Sequence, residues 1–270
     1  MNRIDQTFAG LKQEGKSALI PFLTVGDPDV PTTINIIKAM EEAGADLIEL
    51  GVPYSDPLAD GPVIQRASQR ALEHRITVID CIQAAGEARR QGVQLPFILF
   101  TYYNPVLQLG FDTLFALLKE NDISGLIIPD LPVEESHVIS EYTAKHNIHL
   151  IPLVAPTSRH RVSKIAKDAA GFIYCVSSLG VTGERSAFHE GVDRFIEEVK
   201  ESTELPVAVG FGISSREQVE RFAGRCEGVI VGSAIVRKIE EVLPQLTSGV
   251  DTTKAGAIQQ IKQFVQQLRV

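Results

Sequence analysis

The sequence predicts an α/β fold, a closed (β/α)8 barrel, on three observations. Short β-branched or aliphatic runs alternate with longer amphipathic stretches along all 270 residues, and eight such pairs can be counted. Each short run is almost wholly apolar, as expected of a parallel strand covered on both faces. An open sheet rarely has so many regularly spaced units, whereas barrels commonly reach about 250 residues as one domain. We therefore predict a single TIM barrel over residues 1–270.

The apolar runs and the stretches between them define the predicted elements in chain order. The predicted strands cover residues 18–24, 46–51, 97–101, 125–129, 149–154, 172–176, 207–209 and 228–231. The predicted helices between them cover residues 31–43, 62–73, 77–91, 112–121, 133–146, 159–168, 192–202, 215–223 and 235–246. Extra helices are predicted over 4–12, as a plug for the barrel floor, and over 252–268. Ser214 and Glu217 have capping-box spacing, which predicts a helix start there.

Charge and composition argue against several classes of protein. A net charge of -8 with scattered charges does not suit nucleic-acid binding, which needs clustered Lys and Arg. No apolar stretch approaches the roughly 20 residues that span a bilayer, and the N-terminus lacks the apolar segment of a signal peptide. We therefore expect a soluble cytoplasmic protein. Cys81, Cys175 and Cys226 lack C-x-x-C spacing and predict buried free thiols. No metal site is expected at His146 and His149, because a helix runs into a strand there.

Two carboxylates in unlike settings are the leading candidates for proton chemistry. Glu49 lies near the end of the second predicted strand, and Asp60 lies eleven residues later, past a proline-rich loop. An acid among apolar neighbours should have a raised pKa, whereas a loop aspartate near backbone N–H groups should stay ionised. Each residue also has a structural interpretation. Glu49 would then belong to a buried ion pair, and Asp60 would only precede a helix.

Glycine-containing loops predict an anion site on the same side of the barrel. Residues 210–214 read G-F-G-I-S after the seventh predicted strand, and residues 232–234 read G-S-A after the eighth. These two loops bind phosphate in many barrels, and the following helices direct N–H groups at an anion. The alternative is that the glycines serve only as turn residues. The long connection 177–191 suits a closing lid, or else a mobile surface loop without a role.

Aromatic and aliphatic residues at strand ends form a further candidate group. Any one of them is most simply a core residue, but together at a barrel mouth they would make a flat apolar pocket for an aromatic ring. The group consists of Phe22, Phe100, Tyr102, Ile127, Leu153, Tyr174 and Phe211.

Six motifs in order resemble the family of tryptophan synthase α subunits, and the resemblance runs essentially from end to end. The most specific motif is L-I-E-L-G-V-P-Y-S-D-P-L-A-D-G at 47–61. The others are P-F-L-T-V-G-D-P at 21–28, Y-Y-N-P at 102–105, P-D-L-P-V-E-E at 129–135, G-V-T-G at 180–183 and G-F-G-I-S-S at 210–215.

The resemblance implies a lyase of tryptophan biosynthesis that cleaves indole-3-glycerol phosphate to indole and glyceraldehyde 3-phosphate, without metal or cofactor. It implies that Glu49 moves protons at indole C3 and at the adjacent hydroxyl, and that Asp60 binds the indole N–H. Thr182 would contact Asp60 when the lid closes. The substrate-binding residues that it implies are Phe22, Phe100, Tyr102, Ile127, Leu153, Tyr174, Thr182, Gly183, Phe211, Gly212, Gly232 and Ser233.

The resemblance also implies a partner, the pyridoxal-phosphate-dependent β subunit, which receives indole through a tunnel in an α2β2 heterotetramer. Asp56 and Pro57 would meet this partner. Three other interpretations stay open. They are a stand-alone indole-producing lyase, a sugar-phosphate isomerase on the same kind of phosphate-binding barrel, and an activating subunit whose own chemistry is degraded.

Overall fold

A computed structural model describes residues 1–176, 191–210 and 212–270. Its strands are β1 Ala18–Thr24, β2 Ile48–Gly51, β3 Phe97–Phe100, β4 Ile123–Ile127, β5 His149–Leu150, β6 Leu153–Val154, β7 Ile173–Val176, β8 Val207–Gly210 and β9 Gly228–Val231. They form one sheet in the order β5-β4-β3-β2-β1-β9-β8-β7-β6, and every neighbouring pair is parallel. All eight predicted strand positions therefore carry strands, with ends shifted by two residues or fewer except at the fifth.

The fifth predicted strand is divided in two at Ile151 and Pro152. Its first half, β5, pairs with β4, and its second half, β6, pairs with β7. Between them, the Ile151 N–H donates to the Leu126 carbonyl at 2.9 Å, and the Pro152 carbonyl accepts from the Tyr174 N–H at 3.0 Å. Proline has no N–H for a strand ladder, which accounts for the break. The two ends of the sheet thus meet in residues 149–154, and the predicted (β/α)8 barrel is confirmed.

Helices surround the sheet in the order that the periodicity predicts. They are α1 Arg3–Glu14, α2 Val30–Glu42, α3 Pro62–Glu73, α4 Val78–Arg90, α5 Tyr103–Leu109, α6 Phe111–Glu120, α7 His137–His146, α8 Val162–Lys167, α9 Val192–Glu201, α10 Arg216–Ala223, α11 Ser233–Glu241, α12 Leu243–Leu246 and α13 Asp251–Leu268. Two 3-10 helices lie at Val133–Glu135 and Pro156–Arg161.

Several helix predictions need correction. The predicted helix 133–146 is a 3-10 helix over its first three residues and an α-helix only from His137. The predicted helix 235–246 is divided into α11 and α12. The helix α5 was not predicted, because Asn104-Pro105 resembles a turn, although proline fits the first turn of a helix. The predicted helix 159–168 begins at Val162, since a 3-10 segment precedes it. The capping prediction for Ser214 and Glu217 is wrong by one residue. Ser215 is the N-cap of α10, and its Oγ accepts from the backbone N–H three residues on.

The N-terminal helix closes the floor of the barrel, as predicted. Ile4 and Phe8 are buried, and the Phe8 ring lies 5.5 Å from the Phe172 ring between centroids. Gly125 allows this approach, because a Cβ there would lie 2.8 Å from the Ile4 side chain. The Asn2 side chain caps α1 and also donates to the Ser124 carbonyl at 2.9 Å. Water is therefore kept out of the lower barrel interior.

The three cysteines are free and buried, as predicted, and they lie in or beside packed helices and strands. Over the described ranges, none of the helices is both long enough and apolar enough to cross a lipid bilayer.

An ion-pair network joins α3, α11 and the loop after β1. Arg70 donates from Nε and Nη2 to the two carboxylate oxygens of Asp27, each at 2.8 Å, and from Nη1 to Glu240 at 2.8 Å. Arg66 donates twice to the same Glu240. Only 2% of the Asp27 side chain is exposed, so burial raises its pKa while the Arg70 bonds lower it. Arg70 is thus the partner that stabilises this buried charge.

We expect Arg70→Met to lower the free energy of unfolding by about 3 kcal/mol at neutral pH, because Asp27 would stay buried without its partner. Arg66→Met is the matched control on the same helix. It should lower that free energy by less than about 1 kcal/mol, because Arg66 is half exposed and Glu240 keeps Arg70. Urea unfolding followed by circular dichroism measures both. Equal losses in the two variants would contradict the assigned role of Arg70.

Candidate active site

A narrow cavity of about 30 Å³ lies inside the barrel at the carboxyl ends of the strands. Barrel enzymes carry out their chemistry at this end. The cavity is lined by two carboxylic acids, by aromatic and aliphatic side chains, and by residues of the loops after β8 and β9. These residues are Phe22, Glu49, Asp60, Ile64, Phe100, Tyr174, Gly212, Ile230, Gly232 and Ser233. A ring-shaped ligand has to move some of these side chains as it binds.

Glu49 is a buried acid in an apolar setting. It lies in β2, opposite Phe22 of β1 and Ile98 of β3, and 1% of the residue is exposed. Its Oε1 has no hydrogen-bond partner among the residues described, and no ion pair of Glu49 is found within the same ranges. Burial raises the pKa of Glu49 to about 8, as the sequence predicted in direction. These contacts favour a proton-transfer role over a buried ion pair.

Asp60 is also buried, and its environment differs from the predicted one. The Tyr102 hydroxyl donates to Oδ2 of Asp60 at 3.1 Å, and Gln65 Nε2 donates to the Asp60 carbonyl at 2.7 Å. Burial raises the pKa of Asp60 to about 6, against the lowering effect of the Tyr102 hydrogen bond. The sequence predicts that this acid stays ionised. With a pKa of about 6, Asp60 is still mostly a carboxylate near pH 7.

The aromatic wall depends on glycines that allow rings to approach the strands. Phe22 and Phe100 meet edge to face, with centroids 5.6 Å apart. A Cβ on Gly51 would lie 2.4 Å from the Phe22 ring, and a Cβ on Gly210 would lie 2.5 Å from the Tyr174 hydroxyl. Real side chains cannot come so close, so both positions require glycine for the rings to keep their places.

The part of the cavity wall formed by the loops after β8 and β9 offers backbone groups. The helix α11 begins at Ser233, directly after Gly232, and Ser233 is buried in the cavity wall. Gly212 has a φ of 88°, in the left-handed region. The described lining contains no Lys or Arg. An anion on this side would therefore be held by N–H groups and the helix dipole.

The structure brings together many of the predicted site residues but not all of them. Both acids line the cavity, as do Phe22, Phe100, Tyr174, Gly212, Gly232 and Ser233. Ile127 and Leu153 belong to the same hydrophobic cluster as Phe22, Phe100 and Tyr174 but do not line the cavity itself. Tyr102 contacts Asp60 through its hydroxyl and is not part of the cavity lining. Thr182, Gly183 and Phe211 lie outside the described residues, as does most of the predicted lid, 177–190.

Two lining residues, Ile64 and Ile230, were missed by the sequence reasoning. Ile230 lies in β9, and Ile64 lies in the first turn of α3, four residues after Asp60. Alternate residues of a barrel strand face the interior, so the position of Ile230 within β9 could have identified it. Nothing in the sequence marked Ile64.

Comparison with known proteins identifies the family. The sequence model of the family described as "Tryptophan synthase alpha chain" matches residues 8–267. The chain belongs to this family. The tryptophan synthase alpha chain of Bacillus licheniformis is 54% identical over 237 residues, covering 88% of this chain and 89% of the relative. That of Geobacillus kaustophilus is 56% identical over 227 residues, covering 84% and 85%.

Solved structures of the tryptophan synthase alpha family share the fold closely. A Mycobacterium tuberculosis tryptophan synthase structure gives a TM-score of 0.85 at 35% identity and covers 98% of each chain. The tryptophan synthase subunit alpha of Legionella pneumophila also gives 0.85, at 34% identity, and covers 98% of each chain. The resemblance drawn from the sequence motifs is thus confirmed.

The buried acid Glu49 should reduce stability at alkaline pH. Its pKa of about 8 in the folded chain exceeds the ordinary 4.5, so the folded state holds the proton more tightly and loses stability as pH rises from about 4.5 through about 8. Relative to its value at pH 5, the free energy of unfolding of Glu49→Gln should exceed that of the natural chain by about 4 kcal/mol at pH 9.

Urea unfolding at the two pH values measures this difference. Glu73→Gln, on the exposed part of α3, serves as the control and should show no pH-dependent gain. An equal gain of Glu49→Gln at pH 5 and pH 9 would contradict the assigned titration.

Proposed function

We propose that the chain cleaves indole-3-glycerol phosphate to indole and glyceraldehyde 3-phosphate, as the α subunit of tryptophan synthase. The observation that carries the proposal is the meeting of Glu49 and Asp60 in one cavity whose lining also includes Gly232 and Ser233. The acids have different pKa values, which suits them to different proton tasks. Membership of the family supports the same reaction.

In the first step, protonated Glu49 donates its proton to C3 of the indole ring. Near pH 7 Glu49 holds a proton and Asp60 is ionised, given their pKa values of about 8 and about 6. Protonation at C3 leaves positive charge at the ring nitrogen. The Asp60 carboxylate accepts a hydrogen bond from the ring N–H and stabilises that charge. The dry surroundings of the cavity strengthen this interaction.

In the second step, the carboxylate of Glu49 accepts the proton of the hydroxyl next to the scissile bond. The electron pair of that hydroxyl bond forms the carbonyl of glyceraldehyde 3-phosphate, and the bond to C3 breaks. Its electrons return to the ring, which regains the indole structure. Glu49 ends protonated, as it began, so the cycle consumes no net proton. The cleavage of the carbon–carbon bond is redox-neutral overall and requires of the protein only proton transfers, and we propose no metal or organic cofactor.

The remaining binding roles follow the geometry and the family motifs. Phe22, Phe100 and Tyr174 would bound the indole ring. The N–H groups at Gly232 and Ser233, with those near Gly212, would hold the phosphate at the start of α11. Ile127, Leu153, Thr182, Gly183 and Phe211 keep their proposed substrate contacts on the motif resemblance alone. Residues 1–270 are proposed to form one domain.

We further propose a β subunit as partner, in an α2β2 heterotetramer. The loop between β2 and α3 carries Asp56, which is exposed, and Leu58, which is 75% exposed. Leu107 of α5 is 51% exposed, and Asn104 of the same helix donates to the Tyr54 hydroxyl of that loop at 3.4 Å. Exposed apolar side chains at one end of a barrel suit a protein interface. With Pro57, these residues form the proposed contact surface. The cytoplasm is the proposed compartment, which suits the three free thiols.

Indole release from indole-3-glycerol phosphate tests the function. The purified chain should release indole slowly alone and much faster with a tryptophan synthase β subunit. Fast release without the β subunit would indicate a stand-alone lyase instead. Glu49→Gln should abolish release while it still binds substrate in calorimetry, and Asp60→Asn should lower kcat by at least about 100-fold. Glu73→Gln should behave as the natural chain. No release under either condition would refute the proposal.

The pH dependence of kcat/KM should be bell-shaped, because the reactive form has Asp60 ionised and Glu49 protonated. Activity should rise as pH passes about 6, where Asp60 loses its proton, and fall as pH passes about 8, where Glu49 loses its own. Steady-state rates between pH 5 and pH 9.5 measure the profile. A rate that keeps rising to pH 9.5 would contradict the acid role of Glu49.

A further inference from the structure

We propose that Tyr102 is a positioning residue for Asp60 rather than a part of the apolar substrate wall. The inference deepens the proposed function and rests on it for the role of Asp60. Tyr102 follows β3, whereas Asp60 ends the loop that follows β2, so the contact joins two neighbouring units of the barrel.

One hydroxyl group holds two successive residues of the loop after β2. The Tyr102 oxygen donates to Oδ2 of Asp60 at 3.1 Å and accepts from the Ala59 N–H at 3.0 Å. Both bonds are buried or nearly so, and 2% of Tyr102 is exposed. A hydroxyl can serve as donor and acceptor at once. It therefore fixes the direction of the carboxylate and the backbone turn that carries it.

The ring of Tyr102 adds a third contact with the same loop. It stacks on the Tyr54 ring, with centroids 4.9 Å apart and an interplanar angle of 26°. On its own side, Tyr102 is anchored by the neighbouring backbone. The Thr101 N–H donates to the Ile127 carbonyl at 3.0 Å, and the Tyr103 N–H donates to an Asp130 carboxylate oxygen at 2.9 Å. A rigid strand end thus supports a loop that has no strand or helix of its own.

The same hydroxyl bond favours the ionised form of Asp60. The titratable side chains around Asp60 in the described cavity are Glu49 from β2 and Tyr174 from β7, in addition to Tyr102. The neighbouring helices α3 and α11 contribute Ile64 and Ser233, which do not titrate. Burial raises the pKa of Asp60, and the Tyr102 bond opposes that rise. Loss of the hydroxyl should therefore raise the pKa of Asp60 further.

Tyr102→Phe keeps the ring and its stacking but removes the hydroxyl. At pH 7 we expect kcat for indole release to fall about tenfold or more, with KM changed less than about threefold. The acid limb of the pH profile should move up by about one pH unit, so part of the loss should be recovered at pH 8. Tyr103→Phe makes the same change one residue on, away from Asp60, and should leave kcat and the acid limb unchanged.

If kcat falls in Tyr102→Phe while the acid limb of its pH profile stays where it is in the natural chain, the loss reflects a general packing defect and the proposal is overturned. An unchanged kcat would also overturn it. A measurement of the pKa of Asp60 without substrate separates a failure of the Tyr102 proposal from a failure of the proposed function. Carbon-13 NMR of labelled aspartate carboxyls, with Asp60 assigned through Asp60→Asn, should give Asp60 a higher pKa in Tyr102→Phe than in the natural chain.

If Tyr102→Phe does not fold, the natural chain still decides the question. The Cζ resonance of Tyr102 should shift with the titration of Asp60, near pH 6, and that shift should vanish in Asp60→Asn. A Tyr102 resonance that does not change through this range would overturn the contact. Absence of indole release would refute the proposed reaction while leaving this NMR result valid.

Discussion

The burial of one carboxyl group in an apolar barrel is the constraint on which the site depends. Glu49 keeps its proton near neutral pH only because water is excluded around it, so every surrounding element has to be closed. The floor is sealed by α1, the sides by the paired strands, and the upper wall by Phe22 and Phe100. The glycines at 51 and 210 allow the rings of Phe22 and Tyr174 to pack this tightly, because a Cβ at either position would clash with them. The burial of Glu49 thus lowers the stability of the folded chain but provides an acid that can donate a proton near neutral pH.

Much of the fold was predictable because its signals are local. A strand covered on both faces must be apolar throughout, and this alone located the eight strand positions. The break in the fifth strand was not predictable, because the run H-L-I-P-L-V differs from a strand only at Pro152, and proline is tolerated at strand edges. The missed helix α5 and the capping shift to Ser215 have the same origin. In both cases the local sequence allows more than one helix start or turn, and tertiary packing determines which one the chain adopts.

The candidate site divides in a similar way. Glu49 was predictable because a lone acid in an apolar strand is unusual, and the pocket aromatics lay at strand ends. The role of Tyr102 was not predictable. Its hydroxyl contacts a residue of the neighbouring unit of the barrel, and the spacing of residues in the sequence does not give the distance between two units. The burial of Asp60 was not predictable for the same reason. The position of Ile64 depends on how α3 leaves the loop, which only the folded backbone determines.

The division of the sheet at residues 149–154 also separates the site by chain order. Everything that moves or steers a proton, from Glu49 to Tyr102, precedes this segment, and the loops proposed to hold phosphate follow it. A substrate with its ring beside the acids and its phosphate at α11 would span the two halves of the chain. Such a ligand would act as a cross-link between half-barrels, whose direct connection near Pro152 consists of two-residue strands. Neither half of the chain contains both the acids and the loops proposed to hold phosphate, so the reaction would require the whole barrel.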